Sequence, residues 1–140
     1  YLTSDRQREA MRLHGRGPDD IQFWDDLSLS RNADRVDAPI LAQVADREAL
    51  FMLQTQRTLS DLGKPFDLFV FPDEYHVKWR PRHRLAIYQR SLRWFEFWLL
   101  QRETEDAAFG DEYARWRAWR ALLAESNAPR EIAQPGLHTQ

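Results

Sequence analysis

The chain contains no cysteine, which excludes disulfide cross-links and thiolate chemistry. It has no apolar run near the ~20 residues that a membrane-spanning helix requires. Its first residues lack the apolar core of a signal peptide. No Gly-x-Ser-x-Gly elbow, glycine-rich phosphate loop or pair of histidines at metal-ligand spacing occurs in the 140 residues, so neither metal nor cofactor is expected. An excess of one charge is missing too. Lys and Arg number 20 against 22 Asp and Glu, a net charge of -2, which gives no electrostatic case for nucleic acid or an anionic membrane as partner. The chain starts at Tyr1 and not at Met, and its natural start is expected to lie upstream.

What the chain has is apolar mass. Hydrophobic residues make up 43%, with 6 Trp and 8 Phe among them, enough for a substantial core in one domain or in a piece of a larger one. Residues 1–26 read as irregular with a short helix near Arg8 to Leu13, broken by Gly15 and Gly17. Phe23 and Trp24, set among Asp19, Asp20, Asp25 and Asp26, read as aromatic anchors of a loop or short turn. The run Ala38-Pro-Ile-Leu-Ala-Gln-Val-Ala45 is short and nearly continuously apolar, as in a strand buried on both faces, with Pro39 at its start. Asp46 follows as a helix N-cap. A helix from about Arg47 to Leu62 ends at Gly63, and Phe66 to Phe71 forms the next strand. Strand, helix and strand of these lengths predict a parallel βαβ crossover.

Beyond the second strand, Pro81 opens a helix to about Arg102. Leu85, Tyr88, Leu92, Phe95 and Leu99, broadened by Trp94 and Trp98, form its predicted core face. The fold class is therefore α/β, with a βαβ-α core over residues 27–102. A helical extension over 103–125 carries Tyr113, Trp116, Trp119, Leu122 and Leu123 interleaved with Arg115, Arg117 and Arg120. Trp and Arg in alternation can serve as a stacking platform for nucleic acid, but docking on the body or on a partner subunit fits this balanced chain better. Residues 126–140 read as a flexible tail.

Two polar residues stand at the C-terminal ends of the predicted parallel strands, Asp46 and His76, the edge where open α/β sheets collect ligands and catalytic groups. Their order matches the last two members of the Ser, Asp/Glu, His triad of α/β hydrolases. In that arrangement the carboxylate accepts from imidazole Nδ1–H while Nε2 takes the serine proton. Asp46 and His76 are thus the candidate catalytic residues. His14, His83 and His138 lack such a setting, His83 falling at a predicted helix start. Ser28, Ser30, Ser60 and Ser91 lie in a loop or in amphipathic helices and not on an elbow. The nucleophile is expected outside this chain, which alone should be inactive. Tyr75, Lys78, Trp79 and Arg80 are near enough to His76 in sequence to line a substrate entrance, or equally to pack the loop.

The segments Ala33-Asp-Arg-Val-x-Ala-Pro-Ile-Leu41, Ala45-Asp-Arg-Glu48, Leu62-Gly-Lys-Pro65 and Phe71-Pro-Asp-Glu-Tyr-His76 together resemble the C-terminal end of the prolyl oligopeptidase family of serine peptidases, over about residues 27–101. Departures from the usual pattern are Gln43-Val44 in place of His-Gly, and Tyr75 in place of the glycine before the catalytic His. With His83-Arg-Leu-Ala-Ile-Tyr-Gln-Arg and Tyr113-Ala-Arg-Trp-Arg-Ala-Trp-Arg120, they make the chain most similar to the lasso peptide isopeptidases of that family. The resemblance implies the C-terminal portion of an α/β-hydrolase domain, incomplete on its own. Its partner would be a missing N-terminal part with a β-propeller and the nucleophile-bearing half of the hydrolase. It further implies Asp46 and His76 as triad members, a lasso peptide as substrate, and opening of the bond between the N-terminal amine and an Asp or Glu side chain. A soluble bacterial protein, cytoplasmic in preference to periplasmic, goes with it. The alternatives are a peptidase or esterase acting on linear substrates, and a non-catalytic binding piece using the Trp/Arg helix.

Overall fold

The structure is a computed structural model and describes residues 20–127, together with Gly15. Its elements are helix α1 (Ile21–Leu27), a 3-10 turn (Ala33–Arg35), strand β1 (Ile40–Ala45), helix α2 (Asp46–Asp61), strand β2 (Phe66–Phe71), helix α3 (Pro81–Leu100), a second 3-10 turn (Ala107–Phe109) and helix α4 (Gly110–Asn127). β1 and β2 pair in parallel, with Ile40 opposite Phe66 and Ala45 opposite Phe71. The predicted βαβ crossover is therefore present, and the two strands end level with each other.

Helix α2 stops where Gly63 adopts φ +68. Lys64 N–H donates to the Leu59 carbonyl (2.8 Å) and Gly63 N–H to that of Ser60 (3.0 Å), a Schellman turn that a glycine in the left-handed region makes inexpensive. The chain then enters β2 directly. One face of the strand pair packs against α2 through Ala33, Leu59 and Phe66, with Ile40, Ala42, Met52 and Leu68 around them. The other face carries Leu41 against Trp94, Phe97, Tyr113 and Trp116 of α3 and α4.

Buried carboxylates fasten α4. Asp67 of β2 accepts from both Arg115 (3.0 and 3.1 Å) and Trp116 Nε1 (2.7 Å). Glu112 pairs with Arg90 and Arg93 of α3. Arg117 bonds Glu103, and Arg120 donates to the Phe97 carbonyl. The alternating Trp and Arg of this helix are thus used inside the fold, as docking on the body requires.

Three expectations change. The segment holding Phe23 and Trp24 is helix α1, not a loop, because the Asp20 carboxylate accepts from Phe23 N–H (3.2 Å) and caps it. The stripe Leu85, Tyr88, Leu92, Phe95 and Leu99 is more than half exposed at every position, and α3 buries Trp94 and Phe97 instead. Periodicity finds an apolar face, but it cannot choose between two faces when both are apolar. Helix α4 also runs on to Asn127. The helix expected near Arg8 to Leu13 and most of the predicted tail lie outside the described residues.

Replacing Phe97, fully buried against the rings of Trp98, Tyr113 and Trp116, with Ala should cost ~3–5 kcal/mol in urea unfolding. Trp116→Phe removes the indole N–H from buried Asp67 and leaves a void where the larger ring stood, and should cost at least ~1–3 kcal/mol.

Candidate active site

Because β1 and β2 are parallel and end level, the first turn of α2 and the loop after β2 share one edge. Ala45, the N-cap of α2, has no side chain able to cap. Glu48 supplies the bond from within the first turn: its Oε2 accepts from Ala45 N–H (3.1 Å). That leaves Oε1 facing the next loop, where it meets His76 Nδ1 at 2.5 Å. The Glu48 side chain is 16% exposed and the His76 side chain 79%. Lys78 Nζ lies 3.8 Å from Glu48 and donates to the His76 carbonyl (3.1 Å).

His76 therefore meets a different carboxylate from the one expected. Both oxygens of Asp46 accept from backbone amides, Oδ1 from Arg47 (2.9 Å) and Oδ2 from Asp73 (2.8 Å). Asp46 is the first residue of α2, and its short side chain binds the amides around it. Glu48, two positions on and one methylene longer, reaches the imidazole. The signal for it was present in Ala45-Asp-Arg-Glu48, since a glutamate at the third helical position commonly folds back over the helix start.

Burial pushes the Glu48 carboxyl up, but the His76 hydrogen bond, the Ala45 amide and the nearby His76 and Lys78 charges outweigh it and hold the group below its ordinary 4.5. The Asp73 amide, then that of Arg47, hold Asp46 below 3.8 against an opposing burial effect. A carboxylate on Nδ1 fixes the imidazole tautomer and stabilises the imidazolium, which leaves Nε2 to move a proton. Among the described residues no serine hydroxyl is hydrogen-bonded to His76. Ser91 is engaged with Gln43 (3.0 Å), and Ser28 with Ser30 (3.2 Å). The described residues hold no group of three or more metal-ligating side chains, and none of their helices is long and apolar enough to cross a membrane.

The four residues expected near a substrate entrance divide in two. Lys78 and Arg80 are engaged within the loop, Arg80 through an ion pair with Asp73. Tyr75 and Trp79 stay exposed, with the guanidinium groups of Arg47 and Arg80 5.7 Å from their respective ring centres. Trp79 also lines a depression of about 470 Å³ with Val77, Lys78, Arg84, Ile87 and Tyr88.

No family model matches the chain. The lasso peptide isopeptidase AtxE2 of Asticcacaulis excentricus is 44% identical over 111 residues, which is 79% of this chain and 16% of AtxE2. This chain is homologous to one segment of a lasso peptide isopeptidase. Two solved structures of AtxE2 agree: the apo enzyme (TM-score 0.74, 42% identity) and a serine-to-alanine variant with Astexin3-dC4 bound (TM-score 0.72, 40% identity). Each match covers 84% of this chain and 18% of that one. The fold is accordingly a portion of an α/β-hydrolase domain.

The lowered carboxyls predict an acid response with a definite sign. A depressed folded-state value contributes stability above the ordinary value, and that contribution is lost as pH falls through the lowered one. The thermal midpoint should therefore hold from pH 7 to about 5 and drop below pH ~4. Glu48→Gln should flatten part of that drop, as followed by circular dichroism.

Proposed function

We propose that this chain supplies the general base and its orienting carboxylate to a serine isopeptidase of the prolyl oligopeptidase family, one that opens lasso peptides. The observation that carries the proposal is the Glu48–His76 pair at the strand edge, in a segment 44% identical to a protein named for this activity. The nucleophile and the oxyanion donors would come from the remainder of the enzyme, since the chain spans only 16% of that relative. The exposed stripe along α3 supports such a partner, because an apolar face of this length is ordinarily covered.

The chemistry follows from the pair. A serine hydroxyl gives its proton to His76 Nε2 as its oxygen bonds to the side-chain carbonyl carbon of the substrate Asp or Glu. The imidazolium is held by Glu48 through Nδ1–H. Collapse of the tetrahedral intermediate breaks the bond to the N-terminal nitrogen, which leaves as an amine with the proton from Nε2. Water, deprotonated by the same nitrogen, then cleaves the ester and regenerates the serine. Asp46 takes no proton in this scheme; it holds the start of the histidine loop.

In the complete enzyme, His76→Ala should abolish acyl-enzyme formation, and Glu48→Gln should lower kcat by roughly 10³–10⁴-fold. Asp46→Asn should cost clearly less. Equal losses for Asp46→Asn and Glu48→Gln would return Asp46 to the triad, and retained turnover in His76→Ala would remove the base. Assay on a threaded lasso peptide beside its linear counterpart separates the isopeptidase from a linear-peptide hydrolase, which would prefer the latter.

A further inference from the structure

A second histidine–carboxylate pair lies behind the first. Glu74, two residues before His76, has a side chain fully removed from solvent. Its Oε2 accepts from Trp79 N–H (3.0 Å), and its Oε1 accepts from Arg80 N–H (3.3 Å) and meets His83 Nδ1 at 2.6 Å. His83 belongs to the first turn of α3 and is itself largely buried, its ring 5.3 Å from that of Phe71, the last residue of β2. The carboxylate thus lies across the base of the loop over residues 74–80. It bonds the two amides that close the loop and ties them to the helix that follows, with His76 at the projecting side.

From this geometry we infer that Glu74 and His83 are positioning residues, a buried clasp that holds the loop so that His76 stays on Glu48. The inference rests on the reading of His76 as the base. Apart from the Lys78 bond to its carbonyl, the main chain of His76 makes no hydrogen bond among the described residues, so the ring is placed by what closes the loop around it. The loop start is already committed: Asp73 takes φ +54 and gives its amide to Asp46. Glu74 closes the other end. Neither member of the clasp is available as a second base, since the carboxylate is buried and held by three donors and the histidine is shielded. A buried carboxylate that loses a donor is left partly unsatisfied at a cost; loss of the His83 donor therefore loosens the turn.

The experiment uses the complete enzyme. His83→Phe keeps the ring against Phe71 but removes the donor. His83→Asn puts an amide nitrogen where Nδ1 stood, and His83→Gln puts one where Nε2 stood. On a threaded lasso peptide, His83→Phe and His83→Gln should lose roughly 10–100-fold in kcat with KM little changed, as misplacement of a catalytic group by about 1 Å does. His83→Asn should recover most of the loss. Hydrogen exchange provides an arm independent of turnover. The Trp79 and Arg80 amides should lose protection in His83→Phe and in Glu74→Gln and regain it in His83→Asn, while amides of β1 and β2 stay protected. If His83→Phe does not fold, the contrast between Asn and Gln decides. Wild-type kcat and protection in His83→Phe or His83→Gln would overturn the clasp, as would an Asn variant no better than Gln. A wild-type enzyme inactive on threaded peptides would instead sink the isopeptidase reading, and exchange would still judge the clasp.

Discussion

The parallel, level pairing of β1 with β2 governs everything that follows at the candidate site. A parallel neighbour must return through a crossover, so the segment leaving β1 becomes α2 and the segment leaving β2 becomes the histidine loop. Both depart from the same edge. Because Ala45 is opposite Phe71, the first turn of α2 and the start of the loop stand side by side, and residues far apart in sequence meet there: Glu48 with His76, and Asp46 with Asp73. A shift of one residue in register would point the slipped strand's side chains to the opposite face. A slip of β1 would separate Ile40 from its packing against α2, and a slip of β2 would separate Asp67 from its partners on α4.

Carboxylates carry much of the remaining organisation, and they do so by accepting from several donors at once. Glu48 joins the start of α2 to His76, Glu74 closes the loop onto α3, Asp67 receives α4 on the sheet, and Glu112 joins α4 to α3. Each is shielded from water, where an unpaired charge would be costly, and each is paired to Arg, His, Trp or backbone N–H donors. Directional bonds of this kind set orientation where aromatic packing alone is permissive. The aromatic cluster of Trp94, Phe97, Tyr113 and Trp116 supplies burial; the carboxylates decide which way the helices face it.

Much of this was legible in the sequence for reasons that are local. Pro39, Gly63 and Pro81 mark element boundaries through their own backbone preferences, and the short apolar runs read directly as buried parallel strands. His76 could be placed because strand ends are easy to find. Its partner could not be chosen by the same means. Asp46 and Glu48 occupy one helix turn, and only the missing cap at Ala45 together with the reach of each side chain sends Glu48 to the imidazole and leaves Asp46 on the amides. Glu74 and His83 escaped notice for a related reason: a glutamate in a loop and a histidine in a helix acquire meaning only once the loop folds back and buries both.

The two faces of α3 show why the apolar pattern misled. Trp94 and Phe97 point at α4 and the strands, whereas Leu85, Tyr88, Leu92, Phe95 and Leu99 are exposed. In an isolated amphipathic helix the second stripe would be polar. Its apolar character is what a helix packed on two sides would show. His76, the base of the proposed function, likewise has no serine bonded to it among the described residues. Under the proposed function both features have one explanation: a further part of the hydrolase that would cover the outer face of α3 and set its nucleophile against Nε2 of His76. The homologous segment is 16% of AtxE2, so an enzyme of that length would have ample chain for such a part.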